Sequence, residues 1–371
     1  MYNITIIIPI YNAEKYLREL LESIVHQTMD FRTIQVIMVD DYSKDNSTKI
    51  MDEYEEKYDN IIGIKLEKNH KVAGTARNEG LKRAEGKYIM FADADDFFIE
   101  DACEIMFNTI EKKKADFITA NYVNADFDGT IWEKPIFDQE KYKDFKLSIT
   151  DYTKSFFILN SSACNKIFRR SFIEENNIQF LEEVPAEDAY FTTSCFIKST
   201  KVYYTNKIIY CYRQRNEGNR RKKSVSFNCS RDYFSRINKA YKIIYENFKN
   251  SGHIGFYRYT YAKNMAYMLY KFIDSNLLTY EQRVDILKEM RWFYELSIDL
   301  KVPAAQVSLR MVIDKILKED YEEAINYCKI IAEIRLHLPK EIRENMSRPD
   351  AKMYKEISKY DDEFREEKID V

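Results

Sequence analysis

Residues 4–10, ITIIIPI, form an unbroken apolar run rich in β-branched residues, which suits a strand covered on both faces. From Ala13 to Gln27 the pattern changes, and Tyr16, Leu17, Leu20, Leu21 and Ile24 recur at helical spacing. The alternation continues with a strand over Ile34–Val39, a helix over Ser47–Tyr58 and a strand over Ile61–Leu66. A helix over Thr75–Ala84 and a strand over Tyr88–Phe91 complete the series. Such a βαβαβ order predicts a parallel sheet with right-handed crossovers. Ligands in such sheets bind at the carboxyl ends of the strands, near the point where the strand order reverses. From about residue 228 the pattern is helical throughout: Tyr257–Ile273, Tyr280–Ile298, Ala304–Leu317 and Tyr321–Leu336, punctuated by Pro303 and Pro339. The stretch after Leu338 is highly charged and reads as peripheral.

The strand ends carry the candidate chemistry. The first ends in Pro9-Ile10-Tyr11-Asn12, the second in Asp40-Asp41-Tyr42-Ser43, and the fourth in Asp93-Ala94-Asp95-Asp96. Carboxylates packed this closely repel one another unless a cation or solvent neutralises them. Strand side chains alternate faces, so Asp93 and Asp95 can point the same way and share one ligand. The competing reading is a solvated acidic turn. No GxGxxG follows the first strand and no GxxxxGK[ST] is present, which removes both common phosphate cradles; Gly74 and Gly80 read as helix punctuation. Further on, Glu187-Asp188 precedes an apolar helix, where carboxylates serve as ordinary N-terminal caps. The run CYRQRNEGNRRKKS groups Arg213, Arg215, Arg220, Arg221, Lys222 and Lys223 against the single Glu217, and reads either as a solvated face or as a loop that closes on phosphate.

Composition narrows the class. The chain has 371 residues, enough for two domains, and a formal charge of −3, so no basic field points to nucleic acid. No apolar run reaches the roughly 18 residues that span a bilayer, and MYNITIIIPIYN enters a strand without a basic signal-peptide start. Six cysteines are scattered without CxxC pairs and four histidines show no metal-ligand spacing, so a reduced, cytoplasmic protein is expected, without a zinc site or a disulfide framework.

Four segments, IIIPIYNAEKYLRELLESIVHQT, IMVDDYSKDNST, GTARNEGLKRAEGKYIMFADADD and AEDAYF, resemble in order and spacing the family 2 glycosyltransferases of the GT-A fold. In general layout the chain is most similar to bacterial surface-polymer enzymes, including wall teichoic acid glycosyltransferases. The resemblance implies an α/β fold, a Rossmann-like mixed sheet flanked by helices, with a C-terminal all-α region. Its expected divisions are a nucleotide-sugar-binding half over 1–100, an acceptor-binding half over 101–227 and a helical domain over 228–371.

Carried over residue by residue, the resemblance implies that Pro9, Tyr11 and Asn12 line the base pocket, with Tyr11 available to stack on uracil. Asp41 would accept from the pyrimidine N3–H, with Asp40 helping or capping the strand. Arg77 would stand beside the base and phosphates. FADADD becomes a metal-binding DxD motif, in which Asp95 coordinates Mn²⁺ or Mg²⁺ and Asp93 contacts ribose or the metal shell. Asp96 supports them. Asp188 would be the general base for the acceptor hydroxyl, oriented by Glu187, and Arg213 and Arg215 would belong to a diphosphate-closing loop. One base without a carboxylate nucleophile implies a single in-line displacement with inversion.

The implied activity is hexosyl or N-acetylhexosaminyl transfer from a nucleotide sugar, most readily UDP-linked. Acceptors of this kind are glycans, teichoic acids, lipid-linked saccharides or proteins, reached in the cytoplasm or at the inner face of the membrane. The C-terminal helices are candidates for acceptor binding, membrane contact or homo-oligomer formation. Arg291-Trp292 imitates the QxxRW motif of processive relatives, but Lys288 stands where Gln is needed, so Trp292 is expected to pack in a helix and additions to be single or short. The alternative function is a catalytically silent nucleotide-sugar-binding module. Asp95 and Asp188 together argue against it, because a binding module needs no base.

Overall fold

The apolar run at the N-terminus is strand β1 (Ile4–Ile10), all but one of its residues buried. In the computed structural model the described residues are 1–126, 128–214, 229–303, 307–339 and 351–364. The chain continues through α1 (Leu17–Val25), β2 (Ile34–Asp40), α2 (Ser47–Lys57), β3 (Ile61–Lys65), α3 (Ala73–Arg83) and β4 (Tyr88–Phe91). Then come β5 (Phe97–Phe98), α4 (Ala102–Lys113), β6 (Phe117–Ala125), β7 (Ile131–Pro135), β8 (Phe145–Leu147) and α5 (Tyr152–Ile158). β9 (Lys166–Arg169), α6 (Arg170–Glu175), α7 (Glu187–Lys198) and β10 (Val202–Arg213) close this part.

The strands form one mixed sheet in the order β3-β2-β1-β4-β9-β6-β10-β5, with β7 added to β6 and β8 to β10. β1 pairs in parallel with both β2 and β4, so successive crossovers leave it in opposite directions. That reversal opens a crevice at the carboxyl ends of β1 and β4, where the sequence places its acidic groups. β9 runs antiparallel between β4 and β6, which makes the sheet mixed.

The two glycines read as helix punctuation have another role. Both lie buried inside α3, at points of close approach. A Cβ on Gly80 would collide with the Ile7 side chain, and one on Gly74 with the backbone carbonyl of Leu181. Helix propensity favours Ala over Gly by about 1 kcal/mol. Overpacking against an immovable carbonyl costs about 1–3 kcal/mol and decides the sign. Gly74→Ala is therefore expected to lower stability in urea unfolding; a variant at or above wild-type stability would refute this close packing.

Two compact units emerge from the contacts. The first holds Met1–Ser148 and the described residues from Ile158 to Gln214; the second holds Ile149–Phe157 and the described residues from Cys229 onward. The second unit is built on α8 (Arg231–Asn250), α9 (Ile254–Asp274), α10 (Tyr280–Asp299), α11 (Val307–Leu317), α12 (Tyr321–Leu336) and α13 (Ala351–Ser358). Its tyrosines are core: Tyr257, Tyr259, Tyr261 and Tyr294 are fully buried. Trp292 donates from Nε1 to Asn238 Oδ1 at 2.7 Å and packs against Phe293, as expected of a helix-packing residue.

The charged C-terminal stretch is not peripheral over its described part. Met353, Tyr354 and Ile357 are buried, and the fully buried Arg258 donates to Asp361 at 3.0 Å and to the Ile357 carbonyl at 2.6 Å. Tyr259 adds a 2.8 Å bond to the same carboxylate. Composition alone missed this because one buried arginine can order an otherwise polar segment. No described helix is long and apolar enough to cross a membrane.

Candidate active site

The site lies wholly within the first unit, at the carboxyl ends of β1, β2 and β4. After β1 the chain turns at Asn12, whose φ of 51° is left-handed, a region Asn tolerates better than most residues. The Asn12 side chain accepts from the Lys44 backbone amide at 2.7 Å, and the Asn12 backbone N–H donates to Ser43 Oγ at 2.9 Å, joining the first two strand ends. Tyr11 is left half exposed beside this turn. Asp40 accepts from the Ser43 amide and shapes the turn after β2. Asp41 is buried and receives the His70 amide at 3.0 Å, His70 Nδ1 at 2.7 Å and Asn69 Nδ2 at 3.0 Å. His70 thus orients Asp41, a contact that histidine spacing in the sequence could not reveal.

Arg77 is the centre of the arrangement. Only 2 % exposed on α3, it donates from Nη1 to Asp188 at 2.7 Å and from Nη2 to Asp93 at 2.6 Å, with Glu187 3.5 Å away. Its plane lies over the Phe180 ring, 5.2 Å from the centroid. Phe180 stacks on Phe191, and both meet Phe91 edge-on, forming an apolar floor under the charged groups. Burial alone would lower the Arg77 pKa, but the charges of Asp188 and Asp93, with Glu187, override it and raise it. The sequence placed Arg77 beside base and phosphate; in the structure its fork is bound to carboxylates instead, welding a β4-end residue to the start of α7.

Glu187 and Asp188 open α7 immediately after Ala186, whose φ of 66° is left-handed. Strain of this kind persists where the surroundings over-determine the backbone. Here Asn78 clamps the preceding segment, donating to the Phe180 carbonyl and accepting from the Phe180 amide. Burial pushes Asp188 up to about 7, with Glu187 and Asp93 adding to the shift and Arg77 and Lys166 opposing it. Glu187 is also raised by burial. A carboxylate with a pKa near neutrality is matched to proton transfer.

Beyond β4, Asp93 and Asp95 are partly exposed while Asp96 is buried. Asp96 accepts from the Arg213 amide at 2.8 Å, and burial, then Asp95 and Asp93, hold its carboxyl well above the usual range. Tyr210 receives the Asp93 amide at 3.0 Å. Arg213 differs from the loop residue expected of it. It ends β10, is 2 % exposed, donates from Nε to the Asp95 carbonyl at 2.8 Å and pairs with Glu19 at 2.7 Å. So fixed, it braces the Asp95-Asp96 turn. Arg215 and the basic residues 220–223 lie outside the described residues.

Carboxylate oxygens suit a hard divalent cation. Among the described residues no group of three or more His, Cys, Asp or Glu side chains could hold one alone. Asp95 and Asp93 offer oxygen donors, and Asp93 also accepts from Arg77. The structure brings together Arg77, Asp93, Glu187 and Asp188, and separately joins Asn12 to the β2 turn. Lys166, fully buried on β9 and felt by Asp188 through its charge, was missed by the sequence reading.

The strand-order reversal thus places acidic strand ends and a helix-borne carboxylate near neutrality where mixed α/β sheets bind their ligands. Comparison with known proteins specifies the class. Glycosyl transferase family 2 matches residues 5–176, and the chain belongs to that family. It is 31% identical over 250 residues to the poly(ribitol-phosphate) beta-N-acetylglucosaminyltransferase TarP of Staphylococcus aureus, covering 67% of this chain and 73% of that protein. To the poly(ribitol-phosphate) beta-glucosyltransferase of Bacillus spizizenii it is 32% identical over 216 residues, 58% of this chain. The match spans only 33% of that relative's length, and 36% of Staphylococcus aureus TarS. In structure the chain is similar to TarS 1–349 in complex with UDP-GlcNAc, with a TM-score of 0.69 over 91% of this chain and 93% of that one; at 21% identity this likeness shows the fold. The GT-A architecture with a helical C-terminal region, implied by the resemblance, is thereby shown.

Proposed function

We propose that the protein is an inverting, metal-dependent glycosyltransferase moving a hexosyl or N-acetylhexosaminyl group from a UDP-sugar to a hydroxyl of a teichoic acid or related bacterial glycan. The observation that carries this reading is the Arg77 bridge, which fixes Asp93 at the β4 end and Asp188 at the α7 start within one site. The names of the relatives support the polymer class of acceptor and the two sugars, and the UDP-GlcNAc in complex with TarS 1–349 supports a UDP donor.

In this reading Tyr11 offers a ring to the base, and Asp41, held by His70, faces its N3–H. Asp95 and Asp93 would hold a Mn²⁺ or Mg²⁺ ion, which would supply positive charge for the departing diphosphate. Asp188 takes the acceptor hydroxyl proton. The acceptor oxygen bonds to the anomeric carbon as the bond to the diphosphate oxygen breaks, and UDP leaves. An α-linked donor then gives a β-linked product.

Calorimetric titration of UDP-GlcNAc and UDP-glucose, with Mn²⁺, with Mg²⁺ and with chelator, tests the donor and metal roles. Metal should tighten binding, and Asp95→Asn should weaken the metal-dependent part by roughly tenfold or more. Binding indifferent to both chelator and Asp95→Asn would contradict the metal site.

A further inference from the structure

A lysine with no exposed surface stands out against the sequence pattern. Lys166 begins β9, inside the stretch CNKIF, where its neighbours in the strand are core. Its Nζ is ringed by four oxygens: Ser162 O at 2.6 Å, Asn160 Oδ1 at 2.7 Å, Asn165 Oδ1 at 2.9 Å and Asn160 O at 3.1 Å. Four acceptors suit an ammonium with three protons; a neutral amine would turn its lone pair against an oxygen. Burial nevertheless pulls Lys166 down to about 7, and the charge of Asp188 is the largest influence opposing that fall.

The turn that Lys166 closes also reaches α7. Thr192, one turn beyond Asp188, donates from its hydroxyl to the Ser161 carbonyl at 3.1 Å. Asn165 in turn anchors on the Ala120 carbonyl of β6. The 160–165 segment is thus pinned to the sheet on one side and to the base-bearing helix on the other. We infer that Lys166 is a positioning residue for Asp188: its ammonium, caged by the four oxygens, locks this turn against α7 and presents positive charge to the base. The inference rests on the proposed role of Asp188.

Lys166 acts among other groups. Arg77 from α3, Glu187 on α7 itself, Asp93 after β4 and the buried Cys164 thiol also face Asp188. Arg77 contacts the carboxylate directly, whereas Lys166 does so only through charge and through the turn. Its removal should therefore change the titration of Asp188 without breaking donor binding.

The test is a ¹³C NMR titration of the Asp188 carboxyl in the full chain, assigned with Asp188→Asn, for wild type and for Lys166→Met, Lys166→Arg and Asn160→Ala. In Lys166→Met the Asp188 midpoint should rise by roughly half a pH unit or more. Lys166→Arg should keep the wild-type midpoint to within about half that shift. Should Lys166→Met not fold, Asn160→Ala removes one of the four oxygens, the side-chain Oδ1, while leaving the charge, and should still move the midpoint.

The same variants are then assayed for transfer from UDP-GlcNAc and UDP-glucose to poly(ribitol phosphate). In Lys166→Met acceptor-dependent kcat should fall about tenfold with donor Kd within about twofold, and Lys166→Arg should recover most of that loss. An unmoved midpoint in the folded variants overturns the role of Lys166. A loss of donor affinity equal to the loss of kcat does the same, since it marks a merely structural lysine. If Asp188→Asn itself transfers at the wild-type rate, the base assignment falls instead, whatever Lys166 does to the midpoint.

Discussion

Asp188→Asn is expected to lower acceptor-dependent transfer by about 10²–10⁴-fold while leaving donor binding close to wild type. The amide keeps the shape of the side chain and a contact to Arg77, but it cannot take a proton. Its geometry is set by Arg77 at 2.7 Å and by the start of α7, so the substitution changes chemistry more than structure. The pH profile gives an independent check. Burial raises Asp188 to about 7, and a base works only when deprotonated. Wild-type kcat/KM should therefore fall by about tenfold for each pH unit below 7 and flatten above it. A flat acid side, or an Asn variant with wild-type turnover measured by UDP release, would remove Asp188 from the mechanism.

Arg77→Met should be the most destabilising single change in the site. The guanidinium is buried and faces three carboxylates, Asp93, Asp188 and Glu187. Breaking a fully buried pair by removing one partner costs about 3–5 kcal/mol; water reaches part of the carboxylates left behind here, which places the expected loss at the lower end, about 3 kcal/mol. Lys would not restore the arrangement, since the two carboxylates nearest Arg77 are met by separate arms of one rigid fork. The pH dependence has a definite sign. Without Arg77, whose charge opposes the rise, Asp188 and Glu187 titrate even higher above their unfolded values, so the folded state binds more protons than the unfolded one. Stability is then lost as pH rises. The gap in Tm between wild type and variant should widen from acidic to alkaline pH, and equal Tm values at alkaline pH would contradict the buried-bridge account.

The N-terminal half of the sheet was legible because its strands are buried on both faces. The runs at Ile4–Ile10 and Tyr88–Phe91 have the same limits in sequence pattern and in structure. The helix expected from Ala13 begins at Leu17, because the Ala13–Tyr16 segment is spent on the turn after β1, where the Ala13 amide meets Ser47 Oγ. Past Phe91 the pattern weakens. β5 and β8 are two and three residues long, and β6 finds its main partner in the distant β10, a pairing that local periodicity cannot encode. The helix over Arg231–Asn250 was not singled out either, although Ser230 caps it and Tyr233, Phe234, Ile237, Tyr241, Ile244 and Phe248 line its buried face.

The site shows the same division. Asp93, Asp95, Glu187 and Asp188 stand in motifs whose order along the chain signals their chemistry. Nothing local says that Arg77 joins two of them, because the bridge exists only once α3, the β4 end and α7 meet. Arg213 was legible as a charge and illegible as a brace, since its role depends on the Asp95 carbonyl and Glu19. Lys166 had one available signal: a lysine inside an apolar strand, which is buried only when fully hydrogen-bonded.

The measurement that bears most directly on the account is release of UDP from UDP-GlcNAc and UDP-glucose, with and without poly(ribitol phosphate), for wild type beside Asp95→Asn and Asp188→Asn. The expected result is metal-dependent release stimulated by the acceptor, lost in both variants, with donor binding retained in Asp188→Asn. Donor binding by wild type without acceptor-stimulated release would instead describe a nucleotide-sugar-binding module, and no binding of either donor would contradict the assignment of the strand ends.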